Sequence, residues 1–236
     1  MTNCGILYLI PITLGESPIS QVIPEYNNTI INEIDVYIVE NIKTARRFLK
    51  KAGILKPIDE LTFFEIDKRS NTSNYPTFIK PLAEGKNIGV LSEAGCPGVA
   101  DPGAEIVALA QELNYKVVPL VGPSSILLSL MASGFNGQSF CFNGYLPIEQ
   151  KDRIYKLKDL ERLAFREKQT QLFIETPYRN MPLFKDILAT LNNNTKLCIA
   201  VDITSNTEEI YTKTIEDWKR ETKIDLNKRP CIFLIG

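Results

Sequence analysis

The sequence has 236 residues, 44% of them hydrophobic and 23% charged, the composition of a globular chain able to bury one large core or two small ones. Its net charge of −1 does not mark a nucleic-acid binder, although a local basic patch can still supply phosphate contacts. Histidine is absent and the five cysteines never form a C-x-x-C pair, so no metal centre is expected and the thiols read as reduced, in a cytoplasmic protein.

No apolar run approaches the roughly 20 residues that span a bilayer, and the apolar start Ile6–Ile12 has no Lys or Arg before it, unlike a secretory signal. Gly5–Ile10 is a short β-rich run, and Val36–Val39 is another. Between them Val22, Tyr26, Ile30 and Ile34 recur at helical spacing. A basic helix follows Glu40 and Asn41, with Gly53 at its C-terminus. Thr62–Ile66 reads as a strand, Pro76–Ala83 as a short helix, Ile88–Leu91 as a central strand, Ala104–Leu113 as a helix and Lys116–Leu120 as a strand. This βαβ alternation predicts a mostly parallel sheet with helices on both faces.

The pattern restarts after Val121-Gly-Pro123. Ser124 can cap a helix running to about Met131, Ser139–Asn143 is a strand, and Lys151–Lys168 is a long helix burying Ile154, Leu157, Leu160 and Leu163/Ala164. Its seven basic and four acidic residues read as a solvated face more readily than as an RNA contact. Strands at Gln171–Ile174, Lys196–Val201, Glu209–Thr212 and Cys231–Ile235, with helices at Asn180–Leu191 and Ile215–Glu221, predict a second, mixed sheet. Trp218 is expected to anchor its core. The expectation is two α/β domains, residues 1–121 with a mostly parallel sheet and 122–236 with a mixed one.

Three predicted strands end in small or Pro/Gly-rich loops: Pro11–Gly15, Ser92–Gly103 and Val121–Ser125. A parallel sheet places its ligand outside the carboxyl ends of its strands. Each loop alone can be a plain turn, but three glycines, two prolines and two carboxylates in the second exceed what a tight turn requires. Glycine lets backbone approach a ligand closely. No loop matches G-x-x-x-x-G-K-[ST] or G-x-G-x-x-G, and none is basic, which disfavours a triphosphate. Small residues and apolar walls suit a neutral purine and a zwitterion.

The stretch Leu91-Ser-Glu-Ala-Gly-Cys-Pro-Gly-Val-Ala-Asp-Pro-Gly103 resembles the Ser-Asp-Ala-Gly-Thr-Pro-x-x-Ser-Asp-Pro-Gly loop of the small-subunit rRNA cytidine 2′-O-methyltransferases. That branch lies in the tetrapyrrole (corrin/porphyrin) methylase superfamily. Tyr8–Gly15, Val118–Ser125, Ser133–Phe135, Gly144-Tyr-Leu-Pro147, Glu175-Thr-Pro-Tyr-Arg179 and Val201–Thr204 with Glu208 are similar to further motifs of the branch, in the same order. The resemblance implies paired α/β domains, usually a homodimer, that bind S-adenosylmethionine in the cleft between them. Carried over by position, it implies donor contacts from Pro11, Leu14, Ser92, Gly95, Cys96, Gly98, Val99, Ser124 and Ser125, and in the second domain from Met181, Pro230 and Cys231. Cys96 stands where many members carry Asp. Glu40-Asn-Ile-Lys43 replaces the branch's Glu-Asp-Thr-Arg, and Phe63–Arg69 occupies the place of its His-containing stretch.

A ribose hydroxyl is a weak acid, so its methylation benefits from a base or a cation. Without histidine the candidates are Glu40, Lys43, Glu93, Asp101, Glu175 and Arg179, of which Glu40, Lys43 and Arg179 are taken as catalytic. Glu40 and Asp101 can equally be helix-capping carboxylates, and Arg179 a plain helix start or an anion contact. The leading expectation is methylation of a ribose 2′-hydroxyl in RNA of the small ribosomal subunit. A tetrapyrrole precursor as acceptor, or a donor-binding ribosome-associated module without catalysis, are the alternatives.

Overall fold

Four-residue runs such as Val36-Tyr-Ile-Val39 and Ile88-Gly-Val-Leu91 are buried at every position, the mark of strands covered on both faces. The computed structural model, which describes residues 4–66, 72–221 and 223–236, divides into two compact units, Met1–Ser124 and Ser125–Gly236. Residues 67–69 of the Phe63–Arg69 stretch lie outside the described residues.

In the first unit the elements run β1 (Ile6–Leu9), α1 (Ile19–Val22), α2 (Glu25–Glu33), β2 (Val36–Val39), α3 (Ile42–Lys51), β3 (Thr62–Glu65), α4 (Tyr75–Ala83), β4 (Ile88–Leu91), α5 (Gly103–Glu112) and β5 (Lys116–Pro119). The strands form one sheet in the order β3-β2-β4-β1-β5, every pair parallel. Side chains alternate between two cores. One holds Ile10, Ile31, Tyr37 and Leu49; the other holds Leu7, Ile38, Leu82 and Ile106. Gly89 on the central strand is required by the first: a Cβ there would lie 2.8 Å from Ile10 and 2.9 Å from the Tyr37 ring. The connection after β1 passes on the face of α2, and that after β4 on the face of α5. Adjacent strands thus send their chains to opposite faces, which opens a crevice at their carboxyl ends.

The helical spacing from Val22 to Ile34 does not give one helix. Pro24 separates α1 from α2 and forces Ile23 before it into an extended conformation, φ −117° and ψ 122°. Tyr26 is accordingly exposed. α3 ends as expected: Gly53, φ +79°, donates to Lys50 and Ile54 donates to Leu49, the paired bonds of a glycine-terminated helix.

The second unit runs α6 (Ser125–Ser133), β6 (Phe140–Tyr145), α7 (Gln150–Glu167), β7 (Thr170–Ile174), α8 (Asn180–Thr190), β8 (Lys196–Val201), β9 (Glu209–Thr214), α9 (Ile215–Arg220) and β10 (Cys231–Ile235). Its sheet order is β6-β7-β10-β8-β9. Only β6 and β7 pair in parallel; β10 is antiparallel to both neighbours, and β9 to β8. The fully buried β10 therefore lies in the middle of a mixed sheet. Trp218 is 1% exposed and donates its ring N–H to the Leu197 carbonyl at 2.9 Å.

The basic residues of α7 do not all face solvent. Arg153 turns inward: its Nη2 lies 2.6 Å from Asp186 on α8, and its Nη1 donates to the Pro147 carbonyl at 3.1 Å. A cation buried among apolar groups persists only when paired in this way. No helix among the described residues is long and apolar enough to cross a membrane.

Candidate functional site

The three Gly/Pro loops meet at the carboxyl edge of the first sheet. Beyond β1, Ile12 donates its N–H to the Gly95 carbonyl at 2.9 Å, an antiparallel bridge between the first and second loops. The Cys96 thiol reaches the Pro123 carbonyl at 3.4 Å, joining the second loop to the third. Gly95, φ +72°, sits where all three converge. A Cβ there would lie 3.0 Å from Leu14 and 3.3 Å from the Pro123 carbonyl oxygen. From beneath, Asn27 of α2 donates its side-chain amide to the Val121 carbonyl at 2.9 Å.

Asp101 fixes the second loop from inside. Its carboxylate accepts from the Gly98 N–H at 2.9 Å and from the Gly103 N–H at 2.7 Å. Burial raises its carboxyl above the ordinary value, while backbone N–H groups of Gly98, Gly103 and Val99 pull it back. Asp101 is not the N-cap of α5, a place held by Pro102; its bonds to Gly98 and Gly103 instead occupy the carboxylate as a brace across the loop. Ser92 is buried and donates to the Ala94 and Gly95 carbonyls at 3.3 and 3.4 Å.

A cavity of about 380 Å³ opens beside these loops, its walls including Pro11, Cys96, Gly98, Val99, Ala104 and Val107. That volume lies in the range of small-ligand pockets, roughly 300–1,000 Å³. Among the described residues no charged side chain lines it, so it suits a purine and an apolar chain and not a triphosphate. Burial, with Asp101 adding to it, pushes the Cys96 thiol up, which keeps it neutral.

The structure brings Pro11, Cys96, Gly98 and Val99 to the cavity wall, with Leu14, Gly95 and Ser92 in the contacts behind it. Ser124 closes the first unit, and Ser125 opens α6 of the second. The second unit's three positions are accounted for by packing within that unit. Met181 packs on its core, Pro230 accepts the Asp202 N–H at 3.0 Å, and Cys231 is buried, its thiol pushed up to about 12.

The catalytic candidates separate. Glu40 is not a helix cap: Asn41 holds that place, its Oδ1 accepting from the Thr44 N–H at 3.1 Å. Glu40 instead accepts the Glu93 N–H at 3.0 Å, tying the end of β2 to the loop after β4. Arg179 donates through Nη2 and Nε to Glu175 at 2.7 and 3.1 Å. The Glu175 side chain is 1% exposed, so Arg179 neutralises a buried carboxylate while standing at the start of α8. Lys43 lines a second cavity of about 430 Å³ with Asn41, Ile42, Arg46 and Glu65. Glu65 was absent from the sequence-based set; it ends β3 at the same edge, and the strand-end rule extended to that strand selects it.

The chain is 30% identical to "Ribosomal RNA small subunit methyltransferase I" of Buchnera aphidicola subsp. Acyrthosiphon pisum (strain APS) over 236 residues, spanning 98% of this chain and 79% of that protein. It is 30% identical to the protein so named in Bacillus subtilis (strain 168), spanning 94% and 73%. To that of Escherichia coli O157:H7 it is 29% identical, spanning 95% and 74%. No family model matches. Among solved structures, the methyltransferase CobJ superposes with a TM-score of 0.63 at 17% identity, over 100% of this chain and 94% of that one. The cobalt precorrin-4 methyltransferase CbiF gives 0.63 at 16% identity, over 98% and 94%. These two show the fold alone, a pair of α/β units. The near full-length likeness to the curated relatives goes further, and the chain belongs to the family of ribosomal RNA small subunit methyltransferase I.

Proposed function

We propose that the protein is a cytoplasmic S-adenosylmethionine-dependent methyltransferase acting on RNA of the small ribosomal subunit, with a ribose 2′-hydroxyl as acceptor. The observation that carries the reading is the convergence of three loops on Gly95 beside an uncharged cavity, in a chain related over nearly its whole length to methyltransferases of that name. The fit to the donor rests on the walls: glycine backbone and apolar side chains accept adenine and a thioether chain, and no lysine or arginine invites phosphate there.

The donor supplies an electrophilic methyl group on a sulfonium. The protein's part is alignment and exclusion of water, since an in-line displacement gains most from a fixed approach. Pro11, Gly98 and Val99 shape the donor wall, and Asp101 holds that wall rigid. We assign Glu40 to positioning, through its bond to the Glu93 N–H, and Arg179 to charge balance of Glu175. Lys43 is the cation of the implied catalytic set that faces a cavity. Donor contacts from Met181, Pro230 and Cys231, and a homodimer, belong to the same reading.

The test offers tritiated donor with unmodified 30S subunits, naked rRNA and uroporphyrinogen in parallel, alongside calorimetry of donor binding. Label in rRNA within an alkali-resistant dinucleotide is expected, because a methylated 2′-oxygen cannot attack its phosphodiester. Label in uroporphyrinogen alone would move the acceptor to a tetrapyrrole. Absence of saturable donor binding would remove the enzyme reading altogether.

A further inference from the structure

The carboxyl edge of the first sheet carries two cavities. The first reaches β1 and β5 through Leu9 and Pro119; the second lies at the ends of β2 and β3, between Asn41, Lys43, Arg46 and Glu65. Given the strand order β3-β2-β4-β1-β5 and a spacing of about 4.8 Å between neighbours, their centres are about 14 Å apart. The second cavity lies farther along the edge, and its chemistry differs. Lys43 is exposed and makes no ion pair among the described residues. Arg46 lies over the Phe63 ring at 5.4 Å, and its ion pair among the described residues is with Asp59 at 3.6 Å, whose side chain is 93% exposed; such a pair is screened and weak. Behind these two, Arg47, Lys50 and Lys51 continue α3 without an acidic residue.

Resting on the rRNA reading, we infer that this second cavity holds a backbone phosphate of the acceptor strand that flanks the reacting nucleotide. Lys43 and Arg46 are the phosphate contacts, and Glu65 limits their affinity. The cavity wall itself carries two cations and one carboxylate, Asp59 reaching Arg46 from the solvent side. Arg46 is pre-oriented by the aromatic face beneath it, so less side-chain freedom is lost when a phosphate arrives.

The experiment measures binding of the full-length protein to an unmodified small-subunit rRNA fragment between 50 and 200 mM salt, the range where counterion release is read. In K43A/R46A, affinity at the low-salt end is expected to fall about tenfold. The slope of log affinity on log salt should flatten by about 1.4, twice the ~0.7 per contact of a single strand. Donor binding by calorimetry should stay at the wild-type value. E65Q should bind the fragment more tightly, a gain that a damaged fold cannot produce. K156A/R162A, which removes two cations of α7 that pair with Asp159, should leave the slope unchanged. An unaltered slope in K43A/R46A, weaker binding by E65Q, or flattening in the α7 variant overturns the phosphate site. Wild-type protein that binds the donor but no rRNA fragment instead overturns the rRNA reading beneath it.

Discussion

Gly95→Ala tests whether contact among the three loops shapes the donor cavity, and Gly53→Ala is its control. Both glycines have left-handed backbone, φ +72° and +79°, where an L side chain costs about 1–2 kcal/mol. Reduced freedom of the unfolded chain returns about 0.4–1 kcal/mol of this. A Cβ at Gly53 meets nothing within 4 Å, whereas one at Gly95 meets Leu14 at 3.0 Å and the Pro123 carbonyl at 3.3 Å. Leu14 can rotate; the carbonyl is backbone and must move with its loop. Overpacking of this kind adds about 1–3 kcal/mol. Gly53→Ala should therefore lose about 1 kcal/mol and Gly95→Ala about 2–4, read by denaturant unfolding followed by circular dichroism. Calorimetry with S-adenosylmethionine should show at least a tenfold weaker affinity for Gly95→Ala and an unchanged one for Gly53→Ala. Equal stability losses with equal, undiminished donor affinity would refute the argument that the loops meet at Gly95 to form the site.

Two further outcomes follow from buried charges. Asp101 has a carboxyl raised above its ordinary value, so its titration favours the folded state below the unfolded pKa of about 3.9 and loses that contribution as pH rises through the folded value. The stability of wild type relative to Asp101→Asn should accordingly fall as pH rises above the unfolded value of about 3.9; a difference that grows with pH in paired urea titrations would contradict it. Removing one partner of the Arg153–Asp186 pair, whose side chains are 11% and 10% exposed, should cost about 3–5 kcal/mol in Asp186→Ala. The double variant R153M/D186L should recover most of it. If both variants unfold at the same denaturant concentration, the isolated cation is not the source of the loss.

Periodicity and loop composition made most of the architecture legible. Ile88–Leu91 reads as a central strand because it is apolar on both faces, and β4 is the middle strand of its sheet. The mixed second sheet followed from short strands at irregular spacing, but the place of β10 between β7 and β8 did not, since strand order depends on contacts far apart in sequence. The Pro24 break was present in the sequence and outweighs the apolar spacing around it. Within the site, the Gly/Pro loops pointed to the residues that wall the first cavity. What side chains bind was not legible: the Glu40–Glu93 bond spans 53 residues and Arg153–Asp186 spans 33, and one sequence displays neither pairing. Glu40 therefore read as either catalyst or cap and is a tie between strands.

The central position of β10 bears on how the chain is made. All elements of the first unit lie within the first 124 residues, so its sheet can close while the remainder is still being synthesised. Chains emerge at about 5–20 residues per second and fold domain by domain. The second unit has no such freedom. Until Cys231–Ile235 is released, β7 and β8 each expose the edge that β10 will occupy, and open edges invite pairing with other chains. Without β10 the sheet is two unjoined pairs, the parallel β6 with β7 and the antiparallel β8 with β9. Loss of that one strand would split the sheet in two.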